Sequence, residues 1–143
     1  MIHFPYLVDL QTGVPCWRPI VPVMIKRLAV RRRTKAIVDT GSNDSIFPVR
    51  MASVLGIPLG TSSSHRLIWR GQSFPLQFAT VDLELSDGWA GFRWPASVGF
   101  TPAPIPYSLL GIRGCLQFFD ATFCGKDMAV EFTINPSFPG AVY

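Results

Sequence analysis

The sequence is poor in the residues on which most site chemistry depends: nine acidic residues, two histidines and three cysteines in 143. Cys16, Cys115 and Cys124 form no C-x-x-C pair, and His3 and His65 are far apart, so nothing has the spacing of a zinc site. An odd cysteine count favours a reducing compartment over a disulfide framework. No run approaches 18 apolar residues, which leaves no candidate for a membrane-spanning helix. Met1-Ile2-His3-Phe4-Pro5-Tyr6 has neither the basic start nor the long apolar centre of a secretory signal. A soluble cytoplasmic protein that uses no metal or cofactor is expected. Charge is scarce as well, at 15% of residues, and much of the net +4 comes from Arg31, Arg32, Arg33 and Lys35. With no second basic stripe and no interleaved aromatics, that run reads as a solvated hairpin turn at 31–34 and not as a nucleic-acid surface.

What is present points to short strands. Apolar residues make up 48%, with 12 glycines and 13 prolines, a composition of strands and turns more than of helices. The length fits one domain. Residues 1–19, with prolines at 5, 15 and 19 and no periodicity, read as an N-terminal arm that wraps the domain or meets a partner. Residues 20–134 carry the patterned elements, and 135–143 form a tail without pattern.

Within 20–134, Val21, Val23 and Ile25 alternate in a strand over 20–30, and a second strand covers 35–38. Pro48 and Gly56 bracket a short helix over 48–55, with Met51, Val54 and Leu55 on the face toward the sheet. A polar stretch, Gly60 to Ser64, leads to two strands between Arg66 and Phe74 around a glycine-containing tip. The apolar phase slips by one residue near Ala79-Thr80, which predicts a bulge that lets this hairpin overhang the core as a flap. Asp87-Gly88 signals a turn, and Phe92, Trp94, Ala96, Val98 and Phe100 alternate in the strand after it. A proline strap, a helical turn at Cys115 to Phe118 and a last strand from Met128 to Ile134 complete the pattern.

One stretch carries candidate chemistry. Ala36-Ile37-Val38 is a strand-forming run that delivers Asp39 into a turn of small and hydroxylated residues, Thr40-Gly41-Ser42. An acid there is rigidly held, and Gly41 leaves room beside it for water and substrate. Thr40 is expected to turn its hydroxyl inward to brace the loop, while Ser42 and the following backbone N–H groups hold an oxygen of Asp39. Asp-Thr-Gly alone arises by chance in roughly one chain in twenty of this length, and many such triplets are plain β-turns. A second motif, Leu109-Leu110-Gly111, lies about seventy residues downstream with the candidate flap between.

Together, Asp39 to Phe47 and Leu109-Leu110-Gly111 resemble the active-site loop and the hydrophobic-hydrophobic-Gly signature of retropepsin-like aspartic proteases, in their single-domain bacterial form. The resemblance covers roughly 20–134. It implies a mainly β, closed barrel-like acid-protease fold with one or two short helices, a catalytic loop and a flap hairpin. It also implies that Asp39 is the catalytic acid, Thr40 an interlocking hydroxyl, Gly41 and Ser42 the acid's hydrogen-bonding partners, and Gly111 the point where the chain passes close behind the loop. Trp69, Arg70, Gly71 and Gln72 would form the flap tip, less glycine-rich than in retroviral members, and Asp44 would add a polar contact to substrate. With one such aspartate per chain, the resemblance implies a homodimeric endopeptidase acting on an extended peptide. The alternative is a catalytically silent dimerisation or peptide-binding module of the same fold. A cysteine hydrolase built on Cys115 and His65, or a nucleic-acid-binding barrel using Arg31 to Lys35, fits the residues less well.

Overall fold

The computed structural model describes residues 1–60 and 64–143, so most of the polar stretch Gly60 to Ser64 lies outside the described residues. The chain opens with Ile2–Pro5 (β1), Leu7–Asp9 (β2) and Cys16–Arg18 (β3), followed by the long hairpin Ile20–Arg27 (β4) and Val30–Val38 (β5). Ile46–Pro48 (β6) runs into the helix Val49–Val54 (α1), and Arg66–Trp69 (β7) and Gln72–Pro75 (β8) form a separate hairpin. Gln77–Ser86 (β9), Gly91–Thr101 (β10) and Ser108–Leu110 (β11) precede a single 3₁₀ turn at Leu116–Phe118. Phe119–Cys124 (β12), Ala129–Ile134 (β13) and Ala141–Val142 (β14) complete the chain.

Six of these strands close on themselves. The order β10-β6-β11-β5-β4-β9 returns to β10 through the ten-residue antiparallel pairing of β9 with β10, giving a barrel that leaves no free edge among its members. This is the mainly β, closed-barrel fold expected of a retropepsin-like chain. Beside it, β1-β13-β12 form a three-stranded sheet, and β14 adds to the outer side of β10. Alternation builds the interior: Val21, Val23 and Ile25 from β4, Val81, Leu83 and Leu85 from β9, and Trp94, Ala96 and Val98 from β10 are all buried together. Ile2 and Phe4 of β1 join the same core, so part of the first nineteen residues belongs to the packed body of the domain.

Several expectations are corrected. The β4–β5 hairpin turns at Leu28-Ala29, between the paired Arg27 and Val30, with Leu28 in the left-handed region at φ 53°. Arg31, Arg32, Arg33 and Lys35 therefore stand within β5 as exposed strand residues, because the apolar register of β4 against β5 fixes where the hairpin can turn. No bulge forms at Ala79-Thr80: β9 pairs without interruption from Gln77 to Ser86. The phase slip has another cause. Val81, Leu83 and Leu85 face the barrel core, whereas Phe78 faces a second apolar cluster of Ile46, Leu76, Ala103 and Ile105 on the other side of the sheet. In α1 the buried residues are Ala52 and, at its end, Leu55, while Val54 is exposed and Met51 half-buried. The Asp87-Gly88 signal marks a four-residue loop, in which Asp87 accepts from the N–H groups of Trp89 at 2.9 Å and Ala90 at 3.0 Å.

Candidate functional site

Asp39 follows directly on β5. Alternation places Ala36 and Val38 in the barrel core and turns Ile37 to the opposite face, so Asp39, two residues on, continues the Ile37 face away from the core. Its backbone is tied from behind: the Asp39 N–H donates to the Leu110 carbonyl at 3.0 Å, and Ile37 and Val38 stand in parallel register with Leu109 and Leu110. The two motifs singled out in the sequence are thus adjacent strands of one sheet.

Gly111 shows how close the second motif comes. A Cβ there would press into the Asp44 carbonyl and sit 2.6 Å from the Ser42 carbonyl, so only glycine fits between the loop and β11. Around it the loop is stitched by Ile112 N–H to the Ser42 carbonyl at 3.0 Å and Arg113 N–H to the Asn43 carbonyl at 2.9 Å. Ser45 completes the join. Fully buried, its Oγ accepts from the Gly111 N–H at 3.1 Å and donates to the Arg113 carbonyl at 2.8 Å. Sequence reading passed over Ser45, whose only signal was a hydroxyl set against the apolar Ile46-Phe47.

Within the loop the Gly41 N–H donates to Asp39 Oδ1 at 2.9 Å. The Ser42 hydroxyl does otherwise: it donates to the Asp44 carbonyl at 2.7 Å and braces the loop backbone instead of the acid. Thr40 is exposed, and among the described residues its hydroxyl makes no hydrogen bond, so the inward bracing expected of it is not made within this chain. Asp44 is largely buried and stands 3.4 Å from Arg113 Nε, while its Oδ1 has no hydrogen-bond partner among the described residues. Asp44 and Arg113 line an open cavity of about 460 Å³ with Asn43, His65, Ile112 and Gln117.

The candidate flap is the β7–β8 hairpin, which among the described residues is paired only with itself. Arg70 and Gly71 form its two-residue turn, both with positive φ (51° and 76°), between the paired Trp69 and Gln72. Leu67, Trp69 and Phe74 rest on the second apolar cluster, which also takes Leu109 from β11. The hairpin therefore lies over the sheet face onto which Asp39 opens.

The residues of the competing readings are not brought together. Cys115 is fully buried, and burial pushes its thiol well above the ordinary range, away from the nucleophilic thiolate. His65 instead lines the Asp44 cavity and meets Phe78 edge-on at 5.0 Å. Among the described residues no cluster of histidine, cysteine, aspartate or glutamate has the arrangement of a metal site, and no helix is long and apolar enough to cross a membrane.

No protein-family model matches the chain. No curated protein matches it either. Among solved structures, the protease of EIAV in complex with the inhibitor HBY-793 is similar, at 18% identity, with 66% of this chain and 81% of that chain covered and a TM-score of 0.48.

Proposed function

We propose that the chain is an aspartic endopeptidase that works as a homodimer, with Asp39 of each subunit meeting at a two-fold axis. The observation that carries this reading is the close packing of Gly111 against the Ser42 and Asp44 carbonyls, which holds the Asp39 loop rigid at the end of β5. Among the described residues only one oxygen of Asp39 is held by a hydrogen bond, from the Gly41 N–H, leaving the other for chemistry. Thr40 and Gly41 are exposed beside it, as a loop destined to meet its own copy requires.

The chemistry follows from charge. Two carboxylates brought to about 3 Å, the separation general to such dyads, repel by roughly 5 kcal/mol at an effective dielectric near 20. The pair therefore shares one proton, and its titration belongs to the pair as a unit. The ionised carboxylate draws a proton from a bound water, the protonated one donates to the scissile carbonyl oxygen, and water attacks directly without an acyl-enzyme. An extended peptide would lie under the β7–β8 hairpin, with Trp69 to Gln72 above it and Asp44 at a polar subsite.

The test compares the protein with its Asp39→Asn variant on a mixed peptide library from mildly acidic to neutral pH, with solution mass measured for both. Cleavage that disappears in the variant while dimer mass persists is the expected result. Cleavage that survives the substitution removes the proposal, and a dimer inert in both forms favours the silent peptide-binding module.

A further inference from the structure

Each strand of the barrel has a neighbour on both sides, but the neighbours differ in length. β11 spans three residues against nine in β5, and it pairs only with Ala36, Ile37 and Val38. Among the described residues β4 is the one strand partner of residues 30–35, and no loop backbone bonds to them on the other side. Alternation fixes which groups are left open there. The Val38 N–H donates to the Pro19 carbonyl, on the β4 side, and the Asp39 N–H to the Leu110 carbonyl, on the β11 side. Counting back by twos from Asp39, the N–H groups of Lys35, Arg33 and Arg31 point the same way, into the gap before β11. On the Arg31 carbonyl the Arg32 guanidinium sits at 2.8 Å, a side chain in the place of a strand.

The same three residues carry the charge. Alternation sets the side chains of Arg31, Arg33 and Lys35 on one face at intervals of about 7 Å, and all three are exposed. Their register partners on β4 are Lys26, Met24 and Pro22, none of them acidic. Glu84, one strand further, takes Arg31 at 3.6 Å, whereas among the described residues Arg33 and Lys35 have no carboxylate within ion-pair distance. Arg33 and Lys35 thus each combine an outward N–H with a cation. A strand laid along this edge repeats its own side chains every two residues, and facing pairs come close enough for opposite charges to attract. We propose that β5 between Arg31 and Lys35 is a docking edge for an extended acidic segment of a partner protein, with Asp or Glu at alternate positions, held by strand addition. A second copy of this chain would bring like cations edge to edge and is repelled. A broad polyanion such as duplex nucleic acid would rest on the sheet face, where Glu84 and Asp82, opposite Met24 and Lys26, oppose it. The edge ends four residues before Asp39 and requires no cleavage chemistry, so it is independent of the endopeptidase reading.

NMR titration of the isotope-labelled Asp39→Asn protein at low salt tests this with the peptide Thr-Glu-Val-Glu-Val-Glu-Thr and its glutamine counterpart. The glutamate peptide should bind about tenfold more tightly, shifting the amides of Arg31, Arg33 and Lys35 and slowing their exchange at least about fivefold. Arg33→Gln combined with Lys35→Gln, both at exposed positions, should cut that preference to about twofold. Backbone pairing is read from two further peptides, N-methylated either at the glutamates or at the valines. One should lose binding and the other keep it, because only alternate amides of an added strand face β5. The inference is overturned if the two methylated peptides behave alike, if the preference for glutamate survives the double substitution, or if the shifts are confined to the Asp39 loop. Absence of binding at millimolar peptide, or equal binding of an oligonucleotide of matching charge, overturns it as well. Cleavage is measured on the unsubstituted protein and bears on the endopeptidase alone.

Discussion

Gly111 and Glu84 illustrate how single residues set the limits of this molecule. Gly111 has carbonyl oxygens where a methyl group would go, so Gly111→Ala should cost about 1–3 kcal/mol, the range for forcing extra volume into a packed site. Urea unfolding measures it, and any peptide cleavage should fall further than stability does, because the displaced backbone carries Asp39. A second prediction concerns pH. Burial raises the Glu84 carboxyl, but the hydrogen bonds from Tyr143 and Arg93 and the charges of Arg93 and Arg31 outweigh it, so the group sits below its ordinary value of 4.5. A depressed carboxyl stabilises the fold above its unfolded value and loses that contribution as pH falls through the folded one. Its partner behaves in the opposite sense. Burial and the bond to Glu84 push the Tyr143 phenol to about 12, so its contribution is complete below its ordinary value of 10.0 and disappears as pH rises through about 12. Tyr143→Phe should abolish that alkaline step and move the Glu84 midpoint upward, both readable by NMR titration of the two side chains.

At the scale of elements, the β7–β8 hairpin is set apart because, among the described residues, it pairs with no other strand. Gly71 holds its turn at φ 76°, and an alanine there costs about 1 kcal/mol of backbone strain. Gly71→Ala should speed amide exchange in Arg66 to Pro75 while leaving that of β9 and β10 unchanged, which would identify the hairpin as an independently opening unit. The same elements show what the sequence revealed. The alternation of Phe92 to Phe100 and the pairing of the Asp39 loop with Leu109-Leu110-Gly111 were legible because strand period and motif order survive without knowledge of partners. The turn at Leu28-Ala29 was not: it contains no glycine, proline or asparagine, and its place is dictated by β4 register. Phe78 misled for a related reason, since a strand with apolar clusters on both faces looks like a strand that has slipped. The β12 strand, with Asp120 and Thr122 between its aromatics, had too little pattern to be seen. Thr40 and Ser42 were found as residues, but their bonding depends on neighbours that spacing does not specify.

Across the whole molecule, aromatic packing ties the chain's last stretch to the barrel. Phe138 meets Phe119 at 5.5 Å, Phe92 at 5.9 Å and Trp94 at 6.1 Å, and the Trp94 Nε1–H donates to the Gly114 carbonyl at 2.7 Å. Phe138→Ala should lower stability by about 2 kcal/mol, less than a fully buried phenylalanine would, because the ring is only half-buried. Calorimetric melting checks this. A larger effect, with loss of the β10–β14 pairing, would mean that the aromatic cluster and the strand separate as one cooperative unit.

The pairing of Ile2 with Phe132 joins parts of the chain 130 positions apart. A ribosome adding about 5–20 residues per second needs on the order of ten seconds to supply the second after the first. Throughout that interval Ile2 and Phe4 have no β13 to cover them, so the nascent protein depends on chaperones or on speed of closure, and stalled synthesis should yield insoluble fragments.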